Sequence, residues 1–541
     1  MGLSLSAENK TLIKIFKIEE QYIIPPYQRA YSWEYDECFT LYSDIMEAFQ
    51  DKDSQEDYFI GNIVIAKSSS DKDKLEVIDG QQRLTTLLLF IKVLSIYNPD
   101  HKALKDCLEI EDWESDQISP RIESEIFESD DKKNLKEVLS FDKKKFEKVL
   151  LTCINKKGLI NEKKCTNRFE ANIMFFYNWI KFYTQKKELR DFIKYLLTQV
   201  YLLPIELEGQ TPQEAREKAL KIFETINNRG RDLSDSDIFK ARLYEKAGKL
   251  QEEKEFISIW REFKNRCDLQ NIKIDEVFRF YSHIIRGKNN ITGTEINLRH
   301  FFIRYEKSPF NEKNYKEILE DLFKVIEVIE FINQKSNQNT VLAKWLQLII
   351  RYTNQYPMFL LVVYIFKNGF EDKNIIEFTK SLVRYIYYKG ATTTIKFEIF
   401  NMISNIVHNR EIDKYIESGI KIEDINISER LKNGYALLSF YIIQDKAISN
   451  YDIDKLVTHK DSLNWDKKNI EFLQNSLGNI IILDIPKKSI TIDKKAIYYK
   501  ESKLENIKEI IPLLESFTYQ NFLERDKELK SNLLKFFRGE L

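Results

Sequence analysis

The chain has 541 residues, more than one hydrophobic core supports, so about two to four domains are expected. Hydrophobic residues at 43% and charged residues at 31% exclude a disordered chain, and only 15 Gly and 10 Pro point to a mostly helical one. A net charge of −1 and a pI near 6.6 exclude a global basic footprint for nucleic acid, leaving local patches to steer it. The Lys-rich stretches (Lys143 to Lys145, Lys156 and Lys157, Lys487 and Lys488) read as solvated faces rather than phosphate tracks.

The five cysteines (Cys38, Cys107, Cys153, Cys165, Cys267) are scattered and form no CxxC pair. Their odd number, without a signal peptide, fits a reducing cytoplasm and argues against disulfides and a zinc ribbon. The longest apolar run, Met358 to Phe366, is far short of the roughly 20 residues that span a bilayer, so no membrane partner is expected. The myristoylation-like start Met1 to Ser6 reads as a coincidence.

In chain order, helical spacing covers residues 37–50 (Phe39, Leu41, Tyr42, Ile45, Met46, Phe49). Tyr58 to Ala66 reads as a strand, Ser68 to Asp73 as a turn and Leu75 to Ile78 as a second strand, which together make a hairpin. After Asp79-Gly80 the pattern changes to a helix, from Arg83 to about Ile96. Residues 100–165 are charged and carry helical pieces, and Asn167 to Leu203 is aromatic-rich and helical. Gln199 to Leu207 reads as a strand returning to the sheet. Pro212 opens a helix to about Ile226, ended by Asn227-Asn228-Arg229-Gly230. Ser234, with Asp237 three residues on, caps the next helix to about Ala247. Residues 250–450 alternate helical patterns with short breaks. Beyond 451 the pattern is mixed, with a strand at Gly478 to Leu483 and closing helices at about 504–515 and 518–537.

Three segments carry candidate chemistry. The first is Val77-Ile78-Asp79-Gly80-Gln81-Gln82-Arg83-Leu84-Thr85-Thr86-Leu87, a strand, a glycine turn and a helix N-terminus. Exposed N–H groups and the helix dipole favour an anion there. Asp79 suits a divalent cation or a water, Arg83 suits phosphate oxygens, and Gln81 and Gln82 offer neutral hydrogen bonds. The same residues also read as an ordinary βα junction with a capping Asp and a surface Arg. In the second, Ile24 to Trp33, two prolines stiffen an extended segment that presents Arg29 between aromatic rings, for a base and a phosphate. Taken in isolation it reads rather as an edge strand packing Tyr and Trp into the core. The third, Phe223 to Lys240, offers Asn227, Arg229 and Lys240 to a metal or nucleotide, or is a plain helical corner. Nowhere do two glycines and Lys-Ser/Thr fall at the P-loop spacing, and GxGxxG, HExxH and GxSxG are also missing.

Together, PxYQRxYxW, FIGxIVI, VIDGQQRLTTL and FExINxRGxxLSxxDxxK resemble the N-terminal domain of the GmrSD family of type IV restriction and phage-defence proteins, relatives of which are SspE and BrxU. The resemblance covers about residues 10–245. It implies a ParB/sulfiredoxin-like α+β domain that binds and hydrolyses a nucleoside triphosphate (NTP) with a divalent cation, Mg²⁺ by preference. Carried over, Asp79 (also the metal ligand), Gln82 and Arg83 are catalytic, and Gly80, Gln81, Gln28, Arg29 and Asn227 bind nucleotide.

The last hundred residues resemble the family's HNH nuclease half, of the ββα-metal kind, through Leu477 to Leu483 and the helix from Thr518 to Arg525. The family's basic histidine is replaced by Lys455, a poor general base at neutral pH, with His459 four residues on. No Asn stands at Asp484 to Lys487 where the family has one. Asp454, His459 and Asn479 are what remains, which implies a degenerate nuclease kept as a structural or DNA-contacting module. His101, His283, His300 and His408 are assigned to no metal.

The expected architecture is α+β and predominantly helical: a nucleotide domain at 1–245, an all-α middle at 246–445 and a small degenerate HNH domain at 446–541. The expected protein is a cytoplasmic defence effector whose nucleotide turnover gates DNA damage or signalling. Its expected partners are a nucleotide, DNA (including modified phage DNA), and a further protein or a second copy of the chain. The alternative is a non-hydrolysing sensor of nucleotide or modified DNA that regulates a separate nuclease or toxin.

Overall fold

A run of β-branched and aromatic residues, Tyr58-Phe59-Ile60-Gly61-Asn62-Ile63-Val64-Ile65-Ala66, forms the spine of the N-terminal sheet. The computed structural model describes residues 5–51, 57–112, 117–127, 129–182, 186–226, 234–390, 395–411, 427, 429–444, 447–448, 450–458, 461, 466–474, 476–515 and 518–541. The chain divides into two compact units, Met1–Arg261 and Glu262–Leu541. The expected helical middle and C-terminal segments fall almost wholly in the second.

The first unit holds strands β1 (Leu5–Ala7), β2 (Lys10–Thr11), β3 (Gln21–Ile24), β4 (Tyr58–Ser68), β5 (Lys74–Asp79), β6 (Glu109–Asp112), β7 (Gln117–Pro120), β8 (Ile122–Ser124) and β9 (Val200–Gly209). The main sheet runs β1-β9-β4-β5-β3-β8, with β2 also on β9. It is mixed. The β4–β5 pair is the expected antiparallel hairpin, and β9 returns parallel to β4 as expected. The charged stretch 100–165 is not purely helical: it contains β6 and β7, which pair only with each other, and β8, which lies parallel to β3.

The helices of this unit are α1 (Leu12–Phe16), α2 (Tyr35–Gln50), α3 (Gln81–Tyr97), α4 (Lys102–Leu108), α5 (Asp131–Leu139), α6 (Lys143–Cys153), α7 (Arg168–Phe182), α8 (Lys186–Thr198), α9 (Pro212–Ile226) and α10 (Asp235–Gly248). Helix α3 is apolar on nearly every side from Leu84 to Leu94 and is buried along that stretch except at Lys92, which is what such a sequence requires. Its Leu87, Leu88 and Ile91 share one core with Ile63, Ile65, Leu75 and Val77 of the sheet and with Ile173 and Phe176 of α7. Alternate strand residues, such as Val64 and Ala66, are buried too, and α9 packs on β4, β5 and β9. Helix α10 begins at Ser234, whose hydroxyl accepts from the Asp237 N–H at 3.3 Å.

The second unit is helical among its described residues as far as Lys432–Ile443. A two-stranded antiparallel pair follows, β10 (Asp452–Lys455) with β11 (Ile480–Leu483), then helices Ile492–Tyr498, Glu505–Glu515 and Tyr519–Arg538. The protein is therefore α+β and predominantly helical. No helix among the described residues is long and apolar enough to cross a membrane.

Candidate functional site

Strand β5 lies inside the sheet, between β4 and β3, and delivers Asp79 at its C-terminal end. Opposite it, Val64 pairs with Asp79 while Ile65 pairs with Val77, so Ile78 is the extra residue of a β-bulge. Gly80 then turns the chain into α3 with φ 86° and ψ 6°. That left-handed conformation suits glycine, and a Cβ there would stand 2.5 Å from Ile63 Cγ2. Gly80 has no side chain with which to cap the first turn of α3, which leaves N–H groups of that turn available to an anion.

Arg83, one turn into α3, reaches back over β4. Its Nη1 donates to the Asn62 carbonyl at 2.7 Å. The guanidinium lies over Gly61, where an added Cβ would meet it at 3.2–3.4 Å. Gly61 (φ 138°) follows a second bulge, at Ile60. A glycine inside a strand marks a bulge or a close approach, and that was the one sequence signal for this contact.

Burial pushes the Asp79 carboxyl above the usual carboxylate range, while the Gly80 N–H and the Arg83 and Arg29 charges pull it back. Burial likewise lowers the Arg83 guanidinium, and Asp79 opposes that shift. Among the described residues Asp79 is in no ion pair within 4 Å, and Arg29 is exposed. The nearby Asp44 is engaged by the Tyr58 hydroxyl at 3.2 Å. A carboxylate without an ion pair is the kind of group that can hold a divalent cation, the remaining ligands being waters and substrate phosphates.

The glutamines do something different. Gln82 Oε1 accepts from the N–H groups of Ser32 (2.8 Å) and Trp33 (3.3 Å), and its Nε2 donates to the Ala30 carbonyl at 3.0 Å. Gln81 Nε2 donates to the Arg29 carbonyl at 2.9 Å and to Gln28 Oε1 at 3.3 Å. Gln28 in turn donates to the Ile78 carbonyl at 2.8 Å. All three are buried, and their amides hold the 28–33 strap against the end of β5 and the start of α3. Gln81, Gln82 and Gln28 are thus brought to the site as its framework, with these hydrogen bonds made to the protein itself.

The strap is not an edge strand. β3 stops at Ile24, just before Pro25 and Pro26, and an irregular segment succeeds it. Tyr27 and Tyr31 are buried under it, which leaves Arg29 as its outward charged group. Asn172 of α7 donates to the Tyr31 hydroxyl (2.9 Å) and the Trp33 carbonyl (2.7 Å), and Asp131 accepts from the Tyr31 N–H at 2.7 Å. Lys240 is buried, with its ammonium 4.7 Å from the Phe127 ring centre and 3.5 Å from the Gln28 carbonyl. Asn227 and Arg229 lie outside the described residues. Asn172, Asp131 and Asn62 escaped sequence reading, because each acts across a long gap in the chain.

In the second unit Asn479 is fully buried. Its side chain accepts from the Val457 N–H at 2.7 Å and donates to the Val457 carbonyl at 3.0 Å. Asp454 accepts from the Tyr499 hydroxyl at 2.8 Å and pairs with Lys495 at 3.2 Å. Lys455 is exposed, and His459 lies outside the described residues. Arg525 is half-buried and desolvation lowers its guanidinium to about 10. It donates to the carbonyls of Gly478 (2.6 Å) and Ile480 (3.0 Å). These side chains tie β10, β11 and the last helix to one another.

Residues 12–244 match the family model described as "GmrSD restriction endonuclease, N-terminal domain". The chain is also 24% identical over 492 residues to a protein of Methanocaldococcus jannaschii described as "Uncharacterized protein MJ0686". That similarity covers 83% of this chain and 75% of the other.

Proposed function

We propose, from the match of residues 12–244 to the N-terminal domain model of the GmrSD restriction endonucleases, that this chain is a restriction-type defence protein that binds and hydrolyses an NTP at the Asp79–Arg83 turn. The supporting observation is Asp79 itself, a half-buried carboxylate at the end of an interior strand, desolvated enough to raise its pKa and without an ion pair among the described residues, near Arg83 and the exposed Arg29. Leaving a carboxylate so poorly compensated costs stability, and such sites are where chemistry is placed.

In this reading the open first turn of α3 and the Arg83 guanidinium bind phosphate oxygens, and Arg29 closes on the substrate from the strap. Asp79 holds a divalent cation, which when bound neutralises phosphate charge as it develops. Gly80 lets the backbone approach the phosphates. Gln28, Gln81 and Gln82 position the strap, and Gln82 acts through that support. DNA is the proposed target of the defence activity, with turnover biasing the chain between two states of different nucleotide affinity.

One observation favours the second reading, a sensor that binds without hydrolysing: the Gln82 side chain is buried and its amide is held by the strap, with Oε1 accepting from Ser32 and Trp33 and Nε2 donating to Ala30, which turns it away from the role of orienting a water. In the second unit Asn479 and Asp454 are occupied by structural partners, which supports a DNA-contacting or structural module rather than a nuclease.

Phosphate release with Mg²⁺ and each of the four common NTPs, for wild type, Asp79→Ala and Arg83→Ala, separates the readings. Turnover that disappears in both variants upholds the hydrolase. No release from wild type with any nucleotide, with or without DNA, sinks it and leaves the sensor.

A further inference from the structure

Away from the Asp79 turn, the first unit gathers three metal-binding side chains that sequence spacing keeps apart. Cys153 ends α6, Cys165 follows the 3-10 turn Glu162–Lys164, and Glu170 sits in the first turn of α7. Their two sulfurs and a carboxylate oxygen all lie within 4.8 Å of one another. Cys153 and Glu170 are buried, and Cys165 is half-buried.

The chain holds these donors in place through its own backbone. A bridge between Ile154 and Ile160 closes the intervening loop, and the Asn161 N–H donates to the Cys153 carbonyl at 2.8 Å. Asn155 Oδ1 accepts from the N–H groups of Lys157 and Leu159 and shapes the turn. Glu170 Oε1 accepts from the Thr166 N–H at 3.0 Å, which fixes the carboxylate toward the sulfurs. The thiols point at carbonyls, Cys153 Sγ at Lys164 O (3.6 Å) and Cys165 Sγ at Asn161 O (3.8 Å). Such weak S–H contacts hold little energy that a metal–sulfur bond would have to replace.

We propose that Cys153, Cys165 and Glu170 form a Zn²⁺ site with a fourth position open to water. Tetrahedral zinc with bonds of about 2.3 Å to sulfur and about 2.1 Å to oxygen sets the sulfurs about 3.8 Å apart and each sulfur about 3.6 Å from the oxygen, so the cluster needs a contraction of at most about 1.2 Å. Two thiolates and a carboxylate select a soft, borderline ion such as Zn²⁺ over Mg²⁺ or Ca²⁺. Binding releases the two thiol protons and involves no change of oxidation state. The site also has a place in the fold. Glu170 is two residues from Asn172, which holds Tyr31 and Trp33 of the strap. Zinc therefore anchors the start of the helix that supports the Asp79 turn, and it does so whether or not that turn hydrolyses nucleotide.

The test loads the full-length, fully reduced chain with Co²⁺ or Zn²⁺ alone, desalts it and measures metal content, the cobalt–thiolate charge-transfer absorption and the thermal midpoint. One ion per chain is expected, with a cobalt–thiolate band and a midpoint raised by zinc. Cys165→Ser, at the half-buried position and checked for folding by circular dichroism, should lose the band and the zinc-dependent stabilisation. Cys153→Ser should do the same. Glu170→Gln should weaken cobalt binding at least about tenfold, the lower end of what supporting partners of metal sites provide. No cobalt–thiolate band in the reduced wild type overturns the site, as does a band that survives in folded Cys165→Ser. A Cys153–Cys165 disulfide in protein that takes up no metal overturns it too and assigns the pair to redox chemistry.

Discussion

Replacing Gln82 by alanine should loosen the first unit before it affects any reaction. The carboxamide makes two hydrogen bonds of ordinary length, with Ser32 N–H at 2.8 Å and Ala30 O at 3.0 Å, and a longer one with Trp33 N–H at 3.3 Å. A typical net hydrogen bond contributes about 1 kcal/mol, and an orphaned buried partner costs about 1–3 kcal/mol. Ser32 is exposed, so water can replace part of its bond, and the Trp33 bond is too long to count fully. The expected loss is therefore about 2–3 kcal/mol, or about 4–10 °C in the midpoint of a domain of this size. Urea and thermal unfolding of the full chain, followed by tryptophan fluorescence, measure it, because Trp33 sits in the strap. Arg29→Ala, at an exposed position, should leave the midpoint unchanged and lower only nucleotide affinity or turnover. A Gln82→Ala protein that unfolds with the wild-type midpoint yet loses nucleotide binding would refute the strap role and make Gln82 a ligand contact.

Gly80→Ala should destabilise by about 2–5 kcal/mol, from left-handed strain of about 1–2 kcal/mol and a Cβ placed against Ile63 worth about 1–3 kcal/mol, read from urea midpoints. Asp79→Asn should abolish phosphate release yet stabilise the fold at neutral pH. The folded Asp79 holds its proton above the usual carboxylate value, so the folded state binds more protons in that window and wild-type stability falls as pH rises through it. Wild type and Asp79→Asn should therefore converge in stability at acid pH below the window and separate above it, and no separation at neutral pH would contradict the burial argument. Arg121→Ala should cost about 3 kcal/mol or more, because its guanidinium donates to the carbonyls of Ile18, Asp106 and Glu109 at 2.5–3.0 Å. Arg121→Met, which restores bulk without donors, should recover little of that in the same unfolding assay.

The elements that periodicity predicts best are those whose burial is written locally. Helices α2, α3, α9 and α10 and the β4–β5 hairpin carry their apolar spacing, caps and turn residues within the segment itself. Strands β1, β2 and β8 have two or three residues each, and pairing with β9 or β3 decides their state. Nothing inside so short a segment records its partner. The Ile24–Trp33 segment fits neither plain reading, because Pro25 and Pro26 end the strand and glutamines about 50 residues away in sequence shape the strap beyond them. The Cys153–Cys165 approach is hidden for a related reason: an isolated bridge at Ile154 and Ile160 makes it, and no CxxC spacing announces it.

The same distinction divides the motif at the candidate site. Residues 79–83 stand together in sequence, yet their environments differ residue by residue. Gly80 is required by a dihedral angle and by the nearness of Ile63. Gln81 and Gln82 are occupied by backbone groups of the strap. Arg83 is tethered by one carbonyl, over a glycine that leaves it room. Asp79 alone is half-buried without an ion pair among the described residues, with its carboxyl raised by desolvation. Hydrogen-bonded groups that already have their partners gain little from a ligand, whereas a half-buried, poorly compensated carboxylate gains more from a cation. Within this motif the residue to test for chemistry is therefore the one that destabilises the fold, and the residues to test for folding are the ones whose amides hold the strap.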